Sequence, residues 1–212
     1  MEHLVQPDLI IRPVAPKQWP DVERLFGPRG ACGGCWCMWW KLKRKEFDAL
    51  KGEGNRKALW QEIHGGGVPG LLAYVGSEPL GWVAVAPRDA YPTLERSRVL
   101  GRVDAEPVWS VVCFFVARAF RKRGITVRLL EAAARYAGER GATIVEGYPV
   151  EPKQGSTADA FAYTGLASSF RRAGFVEVAR RSDTRPIMRK VVGAGARPST
   201  VSPPGCQDSA SV

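Results

Sequence analysis

The chain has 212 residues, of which 45% are hydrophobic and 25% charged, the composition of a globular protein with one substantial core. It is not collagen-like or low in complexity, and no apolar run is long enough to span a bilayer. A net charge of +10 points to an anionic ligand. The cations are dispersed and form no zinc-finger, RRM or homeodomain pattern, so neither nucleic acid nor a membrane is expected as partner. The first residues lack a basic segment followed by an apolar stretch, so no secretory signal is visible and a cytoplasmic location is expected. Five cysteines, an odd number without such a signal, argue against a disulfide framework.

Residues 9–14 read as a first strand, with Pro13 near its end. Trp19, Val22, Leu25 and Phe26 recur at helical spacing, and Gly27-Pro28 stops that helix. The stretch GACGGCWCMWW at 30–40 stands out. Cys32, Cys35 and Cys37 invite a zinc reading, but structural zinc takes four ligands, usually in two pairs, and only His64 and Cys113 offer a distant fourth. No metal is expected. Trp36, Trp39 and Trp40 with Met38 read as an apolar, shaped wall for a substrate, or else as plain core. The charge run at 41–45 predicts a solvated face. Asn55 is placed to cap a helix through Ile63 that ends at Gly65-Gly66-Gly67. Residues 71–75 and 80–86 predict a hairpin about Gly76. Residues 88–106 predict a long loop with one short helix, near the pocket.

The stretch at 109–150 organises the rest. An apolar run at 111–116 is a buried-strand candidate. Arg121, Lys122, Arg123, Gly124, Ile125 and Thr126 form a basic turn, followed by a helix with Val127, Leu130, Ala134 and Ala137 on one face. Residues 139–141 close it, and 143–150 predict a strand. Helix-head N–H groups lack internal partners and carry partial positive charge. Cations beside them make an anion site, and a glycine there lets backbone approach a phosphate. The turn is neither a P-loop nor a dinucleotide fingerprint. Thr164 is placed to cap a further helix carrying Leu166, Phe170 and Ala173. Strands at 175–179 and 187–192 follow, and the Gly/Pro/Ser-rich residues from 193 onward predict a disordered tail.

The turn resembles the acetyl-CoA loop of the GNAT superfamily of N-acetyltransferases, Arg/Gln-x-x-Gly-x-Gly/Ala after a strand ending in valine. Arg121, Gly124 and Thr126 take the three positions, with Thr126 departing from Gly/Ala, and Val116 takes the valine. Arg171-Arg172-Ala173-Gly174-Phe175 resembles the family's helix-to-strand junction. The order of elements is similar over residues 9–192, and the Cys/Trp stretch resembles that of a GNAT subgroup carrying it near the N-terminus. The resemblance implies an α/β (α+β) fold: a mixed, mostly antiparallel sheet flanked by helices and splayed between its fourth and fifth strands. It implies one domain over 1–192, with 30–65 as a family-specific insert.

It further implies an N-acetyltransferase using acetyl-CoA as cosubstrate, with a small-molecule amine attacking directly in a ternary complex and a homodimer as a compatible assembly. Backbone at Phe115 and Val116 would pair with pantetheine, and Arg121, Lys122, Arg123, Gly124, Ile125 and Thr126 would hold the pyrophosphate. Many members place a tyrosine acid where this chain has Phe170, which has no proton to give. Tyr163 is the candidate acid in its place. Glu146, sharing a strand face with Ile144 and Tyr148, is the candidate base, and Glu151 the second choice. The competing readings are a non-catalytic acyl-CoA-binding or regulatory module of the same fold, and a zinc-bearing nucleic-acid binder.

Overall fold

The computed structural model describes residues 8–153 and 159–193. The tail predicted from 193 onward lies, beyond its first residue, outside them, as does Cys206. Seven strands form one sheet in the order β1-β2-β3-β4-β5-β7-β6. They are β1 (Leu9–Pro13), β2 (Gly70–Val75), β3 (Glu78–Pro87), β4 (Trp109–Val116), β5 (Ile144–Gly147), β6 (Val176–Arg180) and β7 (Pro186–Val191). Every neighbouring pair is antiparallel except β4 and β5. This is the mixed, mostly antiparallel sheet that the resemblance implies. Among the described residues, no helix is long and apolar enough to cross a membrane.

Two cores lie on the two sheet faces. On one, α1 (Trp19–Phe26) buries Trp19, Val22, Leu25 and Phe26, joined by the Cys/Trp stretch, α2 (Arg44–Ala49) and Leu59 and Ile63 of α3 (Glu53–His64). On the other lies α5 (Ile125–Gly138), with Leu129, Leu130 and a stripe of alanines buried. The small stripe lets the helix sit close to the sheet. At Gly81 of β3 a Cβ would already come within 3.3 Å of Ile125 and Leu129 side-chain atoms. Burying each leucine of α5 contributes about 1.5–3 kcal/mol.

The sheet splits between β4 and β5. These strands pair only at Trp109↔Val145, Ser110↔Glu146 and Val111↔Gly147. Beyond that point Val150 bridges to Leu166 instead, so the strand predicted over 143–150 ends in the sheet at Gly147. The wedge is Phe170 of α6 (Ala167–Arg172), which is fully buried. Its ring meets Phe114 edge-on at 6.1 Å and Phe175 at 5.1 Å. A Cβ at Gly147 would fall inside that ring, and one at Gly165 would touch both Phe170 and Phe114. Gly147→Val is therefore expected to cost about 2–3 kcal/mol by overpacking the wedge. Urea unfolding measures this, and an unchanged midpoint would contradict the wedge.

Several local expectations are corrected. Asn55 is not a cap. It sits buried inside α3, and its Nδ2 donates to the Gly34 carbonyl at 3.0 Å, tying the helix to the Cys/Trp stretch. Thr164 is likewise buried, at the end of a 3-10 segment, and α6 begins after Leu166 with no side-chain cap. Gly165, at φ 86°, separates the two. The charge run hides α2, whose one buried residue is Phe47, and Lys41 is not solvated but paired with Glu62. The 88–106 loop carries a 3-10 turn and a short α4 (Pro92–Glu95), but no part of it lines the groove described next.

Candidate acyl-transfer groove

The split opens a groove of about 1040 Å³. One wall is β4 from Cys113 to Val116, continuing into the turn that precedes α5. β3 covers one edge of these residues, from Gly81↔Val116 to Ala84↔Cys113, while β5 has left the other edge, so backbone donors and acceptors face the groove. An unpaired strand edge is a ready template for an extended ligand.

The turn has anion-binding geometry. Gly124 caps α5 in the left-handed region, φ 76° and ψ 3°, and Lys122 is left-handed too, at φ 61°. A non-glycine residue enters that region at a cost, and alternation of this kind points successive N–H groups into one concavity. The first N–H groups bonded back to the turn are those of Val127 and Arg128, both to the Gly124 carbonyl. The N–H groups of Lys122, Arg123, Gly124, Ile125 and Thr126 have no acceptor among the described residues. Phe115, Val116, Arg121, Lys122, Gly124, Ile125 and Thr126 all line the groove. Arg123 does not: its guanidinium lies over the Phe120 ring at 5.6 Å. Arg121 Nε donates to the Val116 carbonyl at 2.9 Å, clasping the turn to the end of β4.

The opposite wall comes from the 3-10 segment Asp159–Thr164 and α6, through Tyr163, Gly165, Leu166 and Ser169. Tyr163 is half-buried, its ring 6.4 Å from Trp40. Burial pushes its phenol up to about 12, against the lowering influence of Arg185, so at neutral pH it holds its proton. Phe170 does not reach the groove. At that position the chain uses a packing residue, not an acid.

The Cys/Trp stretch closes the groove's front, and its large apolar residues divide. Trp36 and Met38 are core: Trp36 stacks on Trp19 at 6.0 Å and packs on Phe26. Gly30 makes room for it, because a Cβ there would strike the indole. Trp39 and Trp40 line the groove with Phe47, and Trp39 meets Phe47 edge-on at 5.1 Å. The wall expected of all four residues is thus built by two of them, with Phe47 of the unanticipated α2. Among the described residues, no group of three or more His, Cys, Asp or Glu side chains is placed to hold a metal. Cys37 and Cys113 reach the groove wall as well.

The structure does not bring Glu146 to the groove. Its side chain is buried, and its oxygens accept from Arg88 Nη1 at 2.9 Å, Arg189 Nε at 2.7 Å and the Tyr148 hydroxyl at 2.6 Å. Arg88 also holds Glu95 and the Leu100 carbonyl, and Arg189 holds Asp104. The cluster therefore pins the 88–106 loop over the sheet. Tyr148 is raised by burial and by the Glu146 charge beside it. Glu151 fares no better as a base: Arg171 and Arg180 hold its carboxyl down to about 2, which leaves it weakly basic.

Residues 36–158 match the profile of the acetyltransferase (GNAT) family. That is more than half of the chain, which therefore belongs to this family. Solved structures agree at the level of the fold. A GNAT-family acetyltransferase from Listeria monocytogenes is 13% identical, with 86% of this chain and 94% of that one covered at a TM-score of 0.54. One from Streptococcus agalactiae is 14% identical, with 86% and 95% covered at 0.51. The PaiA N-acetyltransferase of Thermoplasma acidophilum, solved in complex with coenzyme A, is 15% identical, with 87% and 99% covered at 0.50. A comparison with curated protein sequences gives no match.

Proposed function

We propose that the protein is a cytoplasmic, acetyl-CoA-dependent N-acetyltransferase, its catalytic unit spanning residues 1–192, which acetylates a primary amine on a small molecule by direct attack in a ternary complex. The observation that carries this reading is the continuity of two open backbone surfaces in one groove. The edge of β4 that β5 has left, at Phe115 and Val116, runs into the N–H groups of the turn at the head of α5, which have no acceptor among the described residues. The strand edge suits the amide-bearing pantetheine arm, and the turn suits a pyrophosphate. Lys122 adds a cation at the groove wall, and Arg121 fixes the turn's register against β4. A Thermoplasma relative of the same fold that binds coenzyme A supports the cofactor class.

The acceptor is proposed to lie against Trp39, Trp40 and Phe47, which favours an apolar or aromatic body behind the amine. A chain with net charge +10 disfavours a polycationic acceptor. The amine enters neutral and loses its proton to water after attack, since Glu146 is sealed in its ion cluster and Glu151 is too weak a base. Tyr163 gives its proton to the departing thiolate, a role that a phenol held protonated by burial can fill throughout the neutral range.

Tyr163→Phe is expected to lower kcat by about 10²-fold while leaving acetyl-CoA affinity within about twofold. Thiol release at saturating substrates, together with calorimetry, separates the two. An equal loss in both would make Tyr163 a binding residue only.

A further inference from the structure

Cys37 and Cys113 are 76 residues apart in sequence, and their sulfurs lie 3.6 Å apart. Both are buried among core residues and both line the groove. They belong to two elements that meet at the end of the groove away from the turn, where the proposed acetyl-CoA would place its acyl group: Cys113 to the stretch of β4 beyond the last β5 pairing, Cys37 to the Cys/Trp segment.

Two features distinguish this pair from small core residues that happen to touch. First, Trp36 and Cys37 are consecutive non-glycine residues in the left-handed region, at φ 44° and 57°. L-residues enter that region at a cost, which accumulates at sites where geometry is selected. Second, the buried Trp82 indole N–H, which has no hydrogen-bond partner among the described residues, stands by the Cys37 sulfur. Direct acetyl transfer uses neither thiol.

We propose that Cys37 and Cys113 are a redox-modification site: a peroxide converts them to a disulfide that clamps the Cys/Trp segment onto β4 and shuts the acyl end of the groove. The inference goes beyond the acetyltransferase reading, although its effect on turnover presupposes that reading. The oxidation balances as follows. Peroxide oxygen transfers to the Cys113 sulfur, the O–O bond breaks, and a sulfenic acid and one water result. The Cys37 sulfur then attacks, the S–S bond forms, the S–O bond breaks, and the hydroxyl leaves as a second water with the Cys37 proton. Two electrons pass from the sulfur pair to the peroxide, and a dithiol reductant reverses the change. Cys113 takes the first role because it is the more exposed of the two, at 8% against 4%. The hydrogen bond toward Cys113 and burial hold the Cys37 thiol well above its ordinary value, so its proton leaves only as the S–S bond forms. A disulfide requires the sulfurs to approach by about 1.5 Å. That movement draws the segment bearing Trp39 and Trp40 toward β4, narrowing the groove where the acyl group and amine must meet.

The test uses the full chain. Protein is treated with hydrogen peroxide, alkylated under denaturing conditions and peptide-mapped, and acetyl-CoA binding and amine acetylation are measured before treatment, after it, and after dithiothreitol. The expected result is a Cys37–Cys113 linked peptide, a loss of about tenfold or more in acetyl-CoA affinity and in turnover, and recovery on reduction. Cys37→Ala and Cys113→Ala, each compared with its own reduced form, are expected to respond by less than about twofold, while Cys35→Ala responds like the natural chain. A map without the 37–113 link, or linked protein that binds and turns over like the reduced form, overturns the proposal. Failure of the reduced protein to bind acetyl-CoA would overturn the cofactor reading instead, and the map would still decide the thiol pair.

Discussion

Gly124→Trp is expected to abolish acetyl-CoA binding, by at least about a hundredfold or 2.7 kcal/mol, in a protein that remains folded. Gly124 is left-handed at φ 76°, and a Cβ there would meet nothing within 4 Å. Gly124 lines the groove. A side chain would therefore damage no packing but would stand beside the N–H groups, without acceptors among the described residues, that are proposed to hold the pyrophosphate. The left-handed conformation costs a non-glycine residue about 1–2 kcal/mol, which a domain with the usual stability of about 5–15 kcal/mol tolerates. Gly124→Ala carries the conformational cost without the bulk, and its affinity is expected to fall by less than about tenfold. Calorimetry with a thermal melt on each variant separates binding from folding. A folded Trp variant with natural affinity would remove the turn from the cofactor site.

Glu146→Ala is expected to give the largest loss of stability, about 3–5 kcal/mol. The carboxylate neutralises two arginines, and Arg88 is only 2% exposed. Removing it leaves a buried guanidinium with the partly exposed Glu95 as its remaining carboxylate partner and loosens the 88–106 loop that Arg88 and Arg189 hold. Urea unfolding measures the loss, and acetyl-CoA affinity below the transition is expected to change little. A variant of natural stability that fails only in turnover would return Glu146 to the role of base that its place on the strand first suggested.

The contrast between these two residues marks what a sequence can convey. Gly124 was legible because everything that defines it is local: the apolar strand before it, the cations beside it and the helical spacing after it. The alternation on β5 was also legible, and Glu146 and Tyr148 do share a face and a hydrogen bond. What covers that face was not, since Arg88 and Arg189 come from 58 and 43 residues away. Asn55 and Thr164 have the composition of caps. One instead anchors α3 to the carbonyl of Gly34, 21 residues earlier, and the other is displaced from its helix by the left-handed Gly165. In the sequence, Phe170 stands out only for the hydroxyl it lacks. Its work as the wedge that opens the sheet appears only when Gly147 and Gly165 are seen beneath its ring. The consecutive left-handed Trp36 and Cys37 had no sequence signal, because nothing in their residue types favours that conformation.

The edge of β4 that β5 leaves and the N–H groups at the head of α5 are proposed to form one acyl-CoA site. The decisive experiment is calorimetric titration of acetyl-CoA into the reduced protein, with coenzyme A and ATP as controls. Micromolar binding of acetyl-CoA is expected, with comparable binding of coenzyme A and much weaker binding of ATP, because ATP brings phosphates for the turn but no amide-bearing arm for the strand. Absence of acetyl-CoA binding, or equal affinity for ATP, would contradict it.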